Sequence, residues 1–161
     1  MGGEIYAAPL LLDHARSLGM EGETAIQQAR PCSPLAQAYP SYWARLALSN
    51  ERAAGAAACA VNFPAWGKMC KRLLEAMQTS NPEKLAPEQL EKALTFIQFF
   101  ATPIENLDDM AAAVMMQSFD DSGDTDDCLY QKIAGHVRLL QEYEVFFWDA
   151  CYTATVVEST K

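Results

Sequence analysis

The chain has 161 residues, half of them apolar, and a formal net charge of −9 at pH 7. This length suits one ordinary domain with a full hydrophobic core. Its densest basic segment is residues 68–72, so the chain lacks the basic stripe that a phosphate backbone needs, and the same negative charge argues against anionic membrane surfaces.

The first two helices are predicted from their end signals. Helical spacing of apolar residues favours a helix within residues 1–20, with Gly19 as its stop. A second helix is predicted over residues 33–49, because Ser33 is a good N-cap and Pro34 suits the first helical position.

The third predicted helix spans residues 50–78 and contains Gly55 and Pro64. Gly55 lies in a run of alanines, so we expect a neighbouring helix to approach closely there. Pro64 removes a main-chain hydrogen bond and is expected to kink the helix. Its apolar face is predicted to carry Asn62, Trp66, Met69 and Leu73, and its polar face Lys68, Lys71 and Arg72.

Three further segments complete the predicted chain. A helix is predicted over residues 87–101, and another over 103–117, where Thr-Pro-Ile-Glu forms a capping-box pattern. A solvated acidic loop is predicted over residues 118–127, and the last helix is predicted over residues 127–155. Because no convincing strand is present, the sequence predicts a single all-α domain over 1–161.

The cysteines and histidines show no metal-ligand pattern. Five cysteines, an odd number without a C-x-x-C pair, indicate reduced thiols in an intracellular compartment, either cytoplasm or an organelle interior. His14 and His136 are expected to be packing or surface residues. We therefore predict no metal and no cofactor. The longest central uncharged run, residues 53–67, is too short and too interrupted for a transmembrane segment, and no targeting signal is recognised.

The last helix places an acidic residue within its apolar face. At helical spacing Glu144 shares a face with four apolar residues, which are Ile133, Leu140, Phe147 and Cys151. The charged residues on the opposite face are Arg138, Glu142 and Asp149. A buried carboxylate is costly unless it is paired or protonated. Glu144 is therefore either held by a structural partner or part of a binding or catalytic site.

Three segments together resemble one family. Residues 144–152 read Glu-x-x-Phe-Trp-x-Ala-Cys-Tyr, residues 34–42 contain Tyr39 and Tyr42, and residues 96–105 contain a Phe-Ile pair before a turn. In this order they resemble the TenA, or thiaminase-2, proteins. The resemblance implies a haem-oxygenase-like helical bundle that hydrolyses thiamin or aminopyrimidine breakdown products in thiamin salvage. It also implies that Glu144 contacts the pyrimidine, with Tyr39 nearby.

The sequence departs from the family at the reacting residue. The family's nucleophilic Cys corresponds to Asn62, and an amide cannot form a thiolate. Two family hydroxyls are also missing, because Trp66 and Phe100 stand where tyrosines are expected. Cys59 lies one helical turn away, but a turn of about 5.4 Å exceeds the reacting distance of about 3–3.5 Å.

The first family helices, which carry an Asp that binds the substrate amine, have no counterpart here. Either the sequence is a fragment, or the resemblance implies an N-terminally truncated haem-oxygenase-like bundle, and in that second case its apolar docking face is open. We expect another protein chain, in a homo-oligomer or a larger complex, to cover that face.

These observations leave two main hypotheses. The favoured one is a catalytically silent relative that acts as a small-ligand-binding or assembly subunit. The alternative is an aminopyrimidine aminohydrolase, with Glu144 catalytic and Cys59 as a substitute nucleophile. A third, haem binding through His14, rests on fold analogy alone. The predicted ligand-binding residues are Tyr39, Asn62, Trp66, Phe100, Tyr143 and Phe147.

Overall fold

All regular structure in the described part of the chain is helical. The structure, a computed structural model, describes residues 3–17, 19–20, 33–79, 87–122 and 126–159. The six helices are α1 (Gly3–Ser17), α2 (Pro34–Leu48), α3 (Arg52–Thr79), α4 (Pro87–Ala101), α5 (Leu107–Ser122) and α6 (Asp126–Ser159). The all-α class predicted from the sequence is therefore confirmed.

Several helix ends follow the chemistry read from the sequence. Ser33 caps α2 by accepting a 3.1 Å hydrogen bond from the Ala36 N–H. After α1, Gly19 has φ +89°, a left-handed conformation that a glycine adopts without steric cost. The next N–H group, that of Met20, bonds back to the Ala15 carbonyl at 3.1 Å. The predicted cap and stop are thus both in place.

The predicted start of α5 is wrong. The helix begins at Leu107 rather than at 103, and its Met110 N–H donates to the Asn106 carbonyl at 3.0 Å. The Thr102 hydroxyl, read as a cap for the following helix, instead donates to the Gln98 carbonyl at 3.0 Å. The Thr102 hydroxyl therefore belongs to the hydrogen bonding at the end of α4, and it does not cap α5.

The predicted acidic loop is also wrong over most of its length. α5 continues through Ser122 and α6 begins at Asp126, which leaves only residues 123–125 of that segment, and these lie outside the described residues. The reason is packing, because Phe119 continues the inward face of Met115 one turn earlier. Burial of this aromatic ring outweighs the weak helix propensity of the neighbouring Asp residues.

The chain divides into two compact units, which we describe separately. The first takes in Met1–Pro31 and Phe63–Ile104, and the second takes in Cys32–Asn62 and Glu105–Lys161. The division falls inside α3, next to Pro64. In the first unit α1 packs along α4, and in the second α2 packs along α6. Whether the whole chain is a single domain, and whether Pro64 kinks α3, stay predictions.

The core of the second unit combines large side chains from two helices with alanines from a third. Leu140 of α6 and Ala58 of α3 are fully buried, and Leu46 and Tyr42 of α2 pack against them. Burial of a leucine side chain contributes roughly 1.5–3 kcal/mol. Because Ala58 has only a methyl group, α3 can lie close to both α2 and α6 at this level.

The close helix approach predicted at the alanine run around Gly55 is made by Ala54 and Ala58 and not by Gly55 itself. A Cβ added at Gly55 would meet no described atom within 4 Å, whereas one added at Gly67 would lie 3.1 Å from the Phe100 carbonyl oxygen. Gly67 and Phe100 belong to the first unit, where α3 and α4 therefore pass closely. The buried face of α4 there is formed by Ala93 and Ile97.

Two further findings concern membranes and thiols. Among the described helices, none is both long enough and apolar enough to cross a bilayer. The four cysteines in the described residues, Cys59, Cys70, Cys128 and Cys151, are reduced thiols that form no disulfide with one another. Cys32 lies outside the described residues.

Candidate ligand-binding site

Three polar side chains predicted from the sequence meet in the second unit. The Asn62 amide donates one hydrogen bond to Glu144 Oε2 at 2.9 Å and a second to the Tyr39 hydroxyl oxygen at 3.3 Å. Asn62 is 6% exposed, and the other two residues are half-buried. We call these three residues the polar cluster. Glu144 thus faces inward and has a partner, Asn62.

The helical repeat explains why these residues meet. Asn62 follows the buried Ala58 by one turn of α3, and Glu144 follows the buried Leu140 by one turn of α6. Residues four apart lie on one helix face. The packing that brings Ala58 and Leu140 together therefore also aligns the next positions, where the sequence supplies an amide and a carboxylate.

Aromatic rings surround the polar cluster. The Tyr39 ring lies 6.0 Å from the Phe147 ring and 6.4 Å, edge-on, from the Trp43 ring. The Trp148 indole donates a long hydrogen bond, 3.5 Å, to Glu144 Oε1. Such rings offer flat apolar surfaces on which a planar ligand can stack.

The hydrogen-bonding groups of the cluster are complementary in kind. Both donor hydrogens of the Asn62 side chain are used, one on each neighbour. Glu144, when ionised, can accept further hydrogen bonds, and the Tyr39 hydroxyl, which accepts from Asn62, retains its own proton for donation. Among the described residues no basic side chain lies within ion-pair distance of Glu144. A ligand that carries N–H donors beside a hydrogen-bond acceptor could therefore donate to the Glu144 carboxylate and accept from the Tyr39 hydroxyl.

The other predicted site residues lie in different surroundings. Trp66 and Phe100 belong to the first unit, where their ring centroids are 5.9 Å apart. Tyr143 packs edge-on against Tyr42, 5.3 Å between centroids, and so belongs to the core of the second unit. Cys59 is half-buried on α3, three residues before Asn62. Only Tyr39, Asn62, Glu144 and Phe147 are shown to meet.

The two histidines have structural partners. In the first unit His14 Nδ1 lies 2.7 Å from the Ala93 carbonyl oxygen, and its ring packs 5.4 Å from Phe96. Because a carbonyl can only accept, Nδ1 carries the proton. This is the packing role predicted for His14. In the described residues no three His, Cys, Asp or Glu side chains are grouped to hold a metal ion.

The sequence interpretation missed a second polar pair, between Tyr42 and His136. The Tyr42 hydroxyl oxygen lies 2.7 Å from His136 Nδ1, and the Arg45 guanidinium lies 5.4 Å from the centre of the Tyr42 ring. Burial raises the pKa of Tyr42, an effect that the positive charge of Arg45 partly offsets. A signal existed, because His136 precedes Leu140 by the same four residues that separate Leu140 from Glu144.

Two open grooves of the second unit lie apart from the polar cluster. One, of about 380 Å³, is lined mainly by α5 and α6 and includes Met115 and Tyr130. The other, of about 530 Å³, shares Tyr130 with it and adds Met116 and two aspartates. Tyr39, Asn62 and Glu144 line neither groove. A ligand would therefore reach the polar cluster through the half-exposed sides of Tyr39 and Glu144.

Comparison of the chain with protein-family models, with curated proteins and with solved structures found no match.

Proposed function

We propose that this protein is a divergent relative of the TenA, or thiaminase-2, proteins, with a haem-oxygenase-like fold, and that it binds a small planar nitrogen heterocycle without hydrolysing it. The observation that carries the proposal is the 2.9 Å hydrogen bond from the buried Asn62 amide to Glu144. The resemblance supplies the ligand class, an aminopyrimidine, and the polar cluster supplies groups that can bind it.

The proposed contacts follow from the groups present. Glu144 accepts hydrogen bonds from an exocyclic amine, and the Tyr39 hydroxyl donates to an acceptor nitrogen on the ligand. Phe147, 6.0 Å from Tyr39, offers an apolar face beside them. Each hydrogen bond that involves a charged group is worth about 1.5–3 kcal/mol when it is well shielded. Since Glu144 is half-exposed, a value near the lower limit is expected.

Binding is favoured over hydrolysis because of Asn62. An amide nitrogen has no available lone pair for attack, and both of its hydrogens are already directed at Tyr39 and Glu144. In this role Asn62 positions the carboxylate, whereas a thiol at the same place would be the reacting group.

The proposal is tested by titrating an aminopyrimidine into the protein in a calorimeter while assaying for released product. We expect saturable binding and no product, with at least tenfold weaker binding for Glu144→Gln, which is about 1.4 kcal/mol. Glu142→Gln is the matched control, since Glu142 is exposed on the same helix. Absence of binding at millimolar ligand, or equal losses in both variants, would remove the proposal.

Hydrolysis is retained as a second candidate because of one observation. Cys59 is a reduced, half-buried thiol on the same helix as Asn62, three residues earlier. If product is released, the Cys59→Ser variant identifies its source. Turnover that is lost in Cys59→Ser and in Glu144→Gln, but kept in Glu142→Gln, would establish the hydrolase in place of the silent binding protein.

A further inference from the structure

Two exposed surfaces of this chain have matching chemistry. The first lies in the first unit on α3, where Met69 and Leu73 are 56% and 45% exposed. Lys68 and Arg72 precede them by one residue each and are also exposed. Because residues four apart align along a helix, an apolar row runs beside a basic row. We call these four residues the basic strip.

The four residues of the basic strip were predicted to lie on two faces of α3. Lys68 and Arg72 were placed on its polar face, and Met69 and Leu73 on its apolar face with Asn62 and Trp66. In the structure Met69 and Leu73 are exposed. Among the described residues no carboxylate lies within ion-pair distance of Lys68 or Arg72. The strip therefore presents apolar area and unpaired positive charge on the same helix.

The second surface is the 530 Å³ groove of the second unit. Its apolar walls include Met116 and Tyr130, which are 68% and 61% exposed. Its acidic residues are Asp120 and Asp127, neither of which has an ion-pair partner among the described residues. With Phe119, which also lines it, these residues form what we call the acidic groove. It contains three apolar or aromatic and two acidic side chains, against two apolar and two basic ones in the strip.

We propose that the acidic groove of one copy of this chain binds the basic strip of a second copy. The match in charge argues for this occupant, because α5 carries four aspartates and no basic residue. Methionine is an adaptable side chain that suits the packing of an incoming helix. The two contacting surfaces differ, so the interface is heterologous. The bound pair therefore still presents one unused strip, on one copy, and one unused groove, on the other.

The net charge of −9 opposes association between whole copies. At about 0.15 M salt the screening length is about 8 Å, so this average repulsion is weakened while contacts between directly apposed charges persist. The strip consists of four side chains and the groove of five, so the contact is small compared with the interfaces of stable dimers, which bury about 1,200–2,000 Å². We therefore expect a concentration-dependent association.

The test is sedimentation of the full chain from about 10 µM to about 1 mM at 0.15 M salt, a range suited to weak affinities. The average mass of the natural chain should rise past that of a dimer. Asp120→Lys in the groove and Arg72→Glu in the strip should each weaken association at least tenfold. Their matched controls, Asp149→Lys and Arg16→Glu, change the same charges at exposed positions outside both surfaces and should stay within twofold.

Mixing the two variants makes the test specific. The Asp120→Lys chain keeps an intact strip and the Arg72→Glu chain keeps an intact groove, so together they should form a 1:1 pair that grows no further. The exposed substitution Met116→Lys provides a second groove variant with the same expectation if Asp120→Lys unfolds.

Three outcomes would overturn the proposal. One is a natural chain that stays monomeric throughout the range. Another is a mixture of the two variants that remains monomeric. The third is a basic amphipathic peptide that binds the groove while the chain itself does not associate, since that result would assign the groove to a different partner.

Discussion

Asn62 donates a hydrogen bond to Glu144, which lies 82 residues further along the chain, and thereby joins α3 to α6 beside their shared core. The amide is buried and the carboxylate half-buried, so the bond is partly shielded from water. The contribution of this hydrogen bond to stability can be measured by replacing the amide with a carboxylate, which has the same shape but no N–H group to donate.

Replacing Asn62 with Asp should destabilise the protein by about 2 kcal/mol at pH 7, because two carboxylates would replace a donor and an acceptor at hydrogen-bond distance. The deficit should shrink as the pH falls towards the ordinary carboxyl pKa of about 4, where one of the two groups becomes protonated. Urea unfolding at several pH values measures this. The exposed change Gln141→Asp is the control and should have little effect; a deficit that did not change with pH would contradict the explanation.

The inward face of α6 could be predicted from the sequence because helical spacing fixes which residues align. Leu140 and Glu144 share that face and Glu142 is exposed, as predicted. The partner of Glu144 followed from the family resemblance, which placed Asn62 in the same pocket. His136 also stands on this face, four residues before Leu140, but helical spacing does not identify its partner Tyr42, which lies 94 residues away in the chain.

The errors came from local signals that tertiary contacts overrode. Thr102 has the right sequence for a cap, yet its hydroxyl bonds backward to Gln98. The Asp-rich segment has the composition of a loop, yet packing of Phe119 extends α5 through it. The alanine run around Gly55 makes its close helix contact through Ala54 and Ala58, whereas the glycine that lies against another helix is Gly67. In each case a short pattern was compatible with two structures, and packing between helices decided between them.

Truncation of Leu140 should strongly destabilise the second unit. Its side chain is completely buried among residues of three helices, so Leu140→Ala leaves a cavity and should cost about 2–5 kcal/mol. Val145, 57% exposed on the same helix, is the control, and Val145→Ala should change stability by no more than about 0.5 kcal/mol. Chemical denaturation of both variants gives the comparison; similar losses would show that this core is assigned wrongly.

Two glycines of α3 should respond differently to alanine. Gly55→Ala should stabilise the protein by about 0.5–1 kcal/mol, because alanine favours the helix and its Cβ would meet no described atom within 4 Å. At Gly67 the added Cβ would lie 3.1 Å from the Phe100 carbonyl oxygen, so α4 must shift and the gain should be reduced or reversed. Thermal unfolding should therefore rank Gly55→Ala above Gly67→Ala. The opposite order would contradict the close approach of α3 and α4.

The cysteines should differ in reactivity with a thiol reagent. Cys70 is 2% exposed and its pKa is raised by burial, so its reactive thiolate is both scarce and shielded. Cys128 is exposed and should be modified first. Alkylation at pH 8 followed by mass spectrometry of peptides measures the two rates, and labelling in denaturant is the control, where the rates should converge. Rapid native labelling of Cys70 would contradict its burial.

Tyr42 should make stability fall at high pH. Burial raises its pKa in the folded protein above the ordinary value, so its contribution is fully present below about pH 10 and is lost as the pH rises through the folded pKa. Tyr42→Phe should cost about 1 kcal/mol at pH 7, through loss of the hydrogen bond with His136, and should remove this part of the alkaline decline. Denaturant unfolding between pH 7 and 11 measures both effects. Tyr130→Phe, at a 61% exposed position, is the control and should keep the decline; an equally steep decline in Tyr42→Phe would show that ionisation of Tyr42 is not its cause.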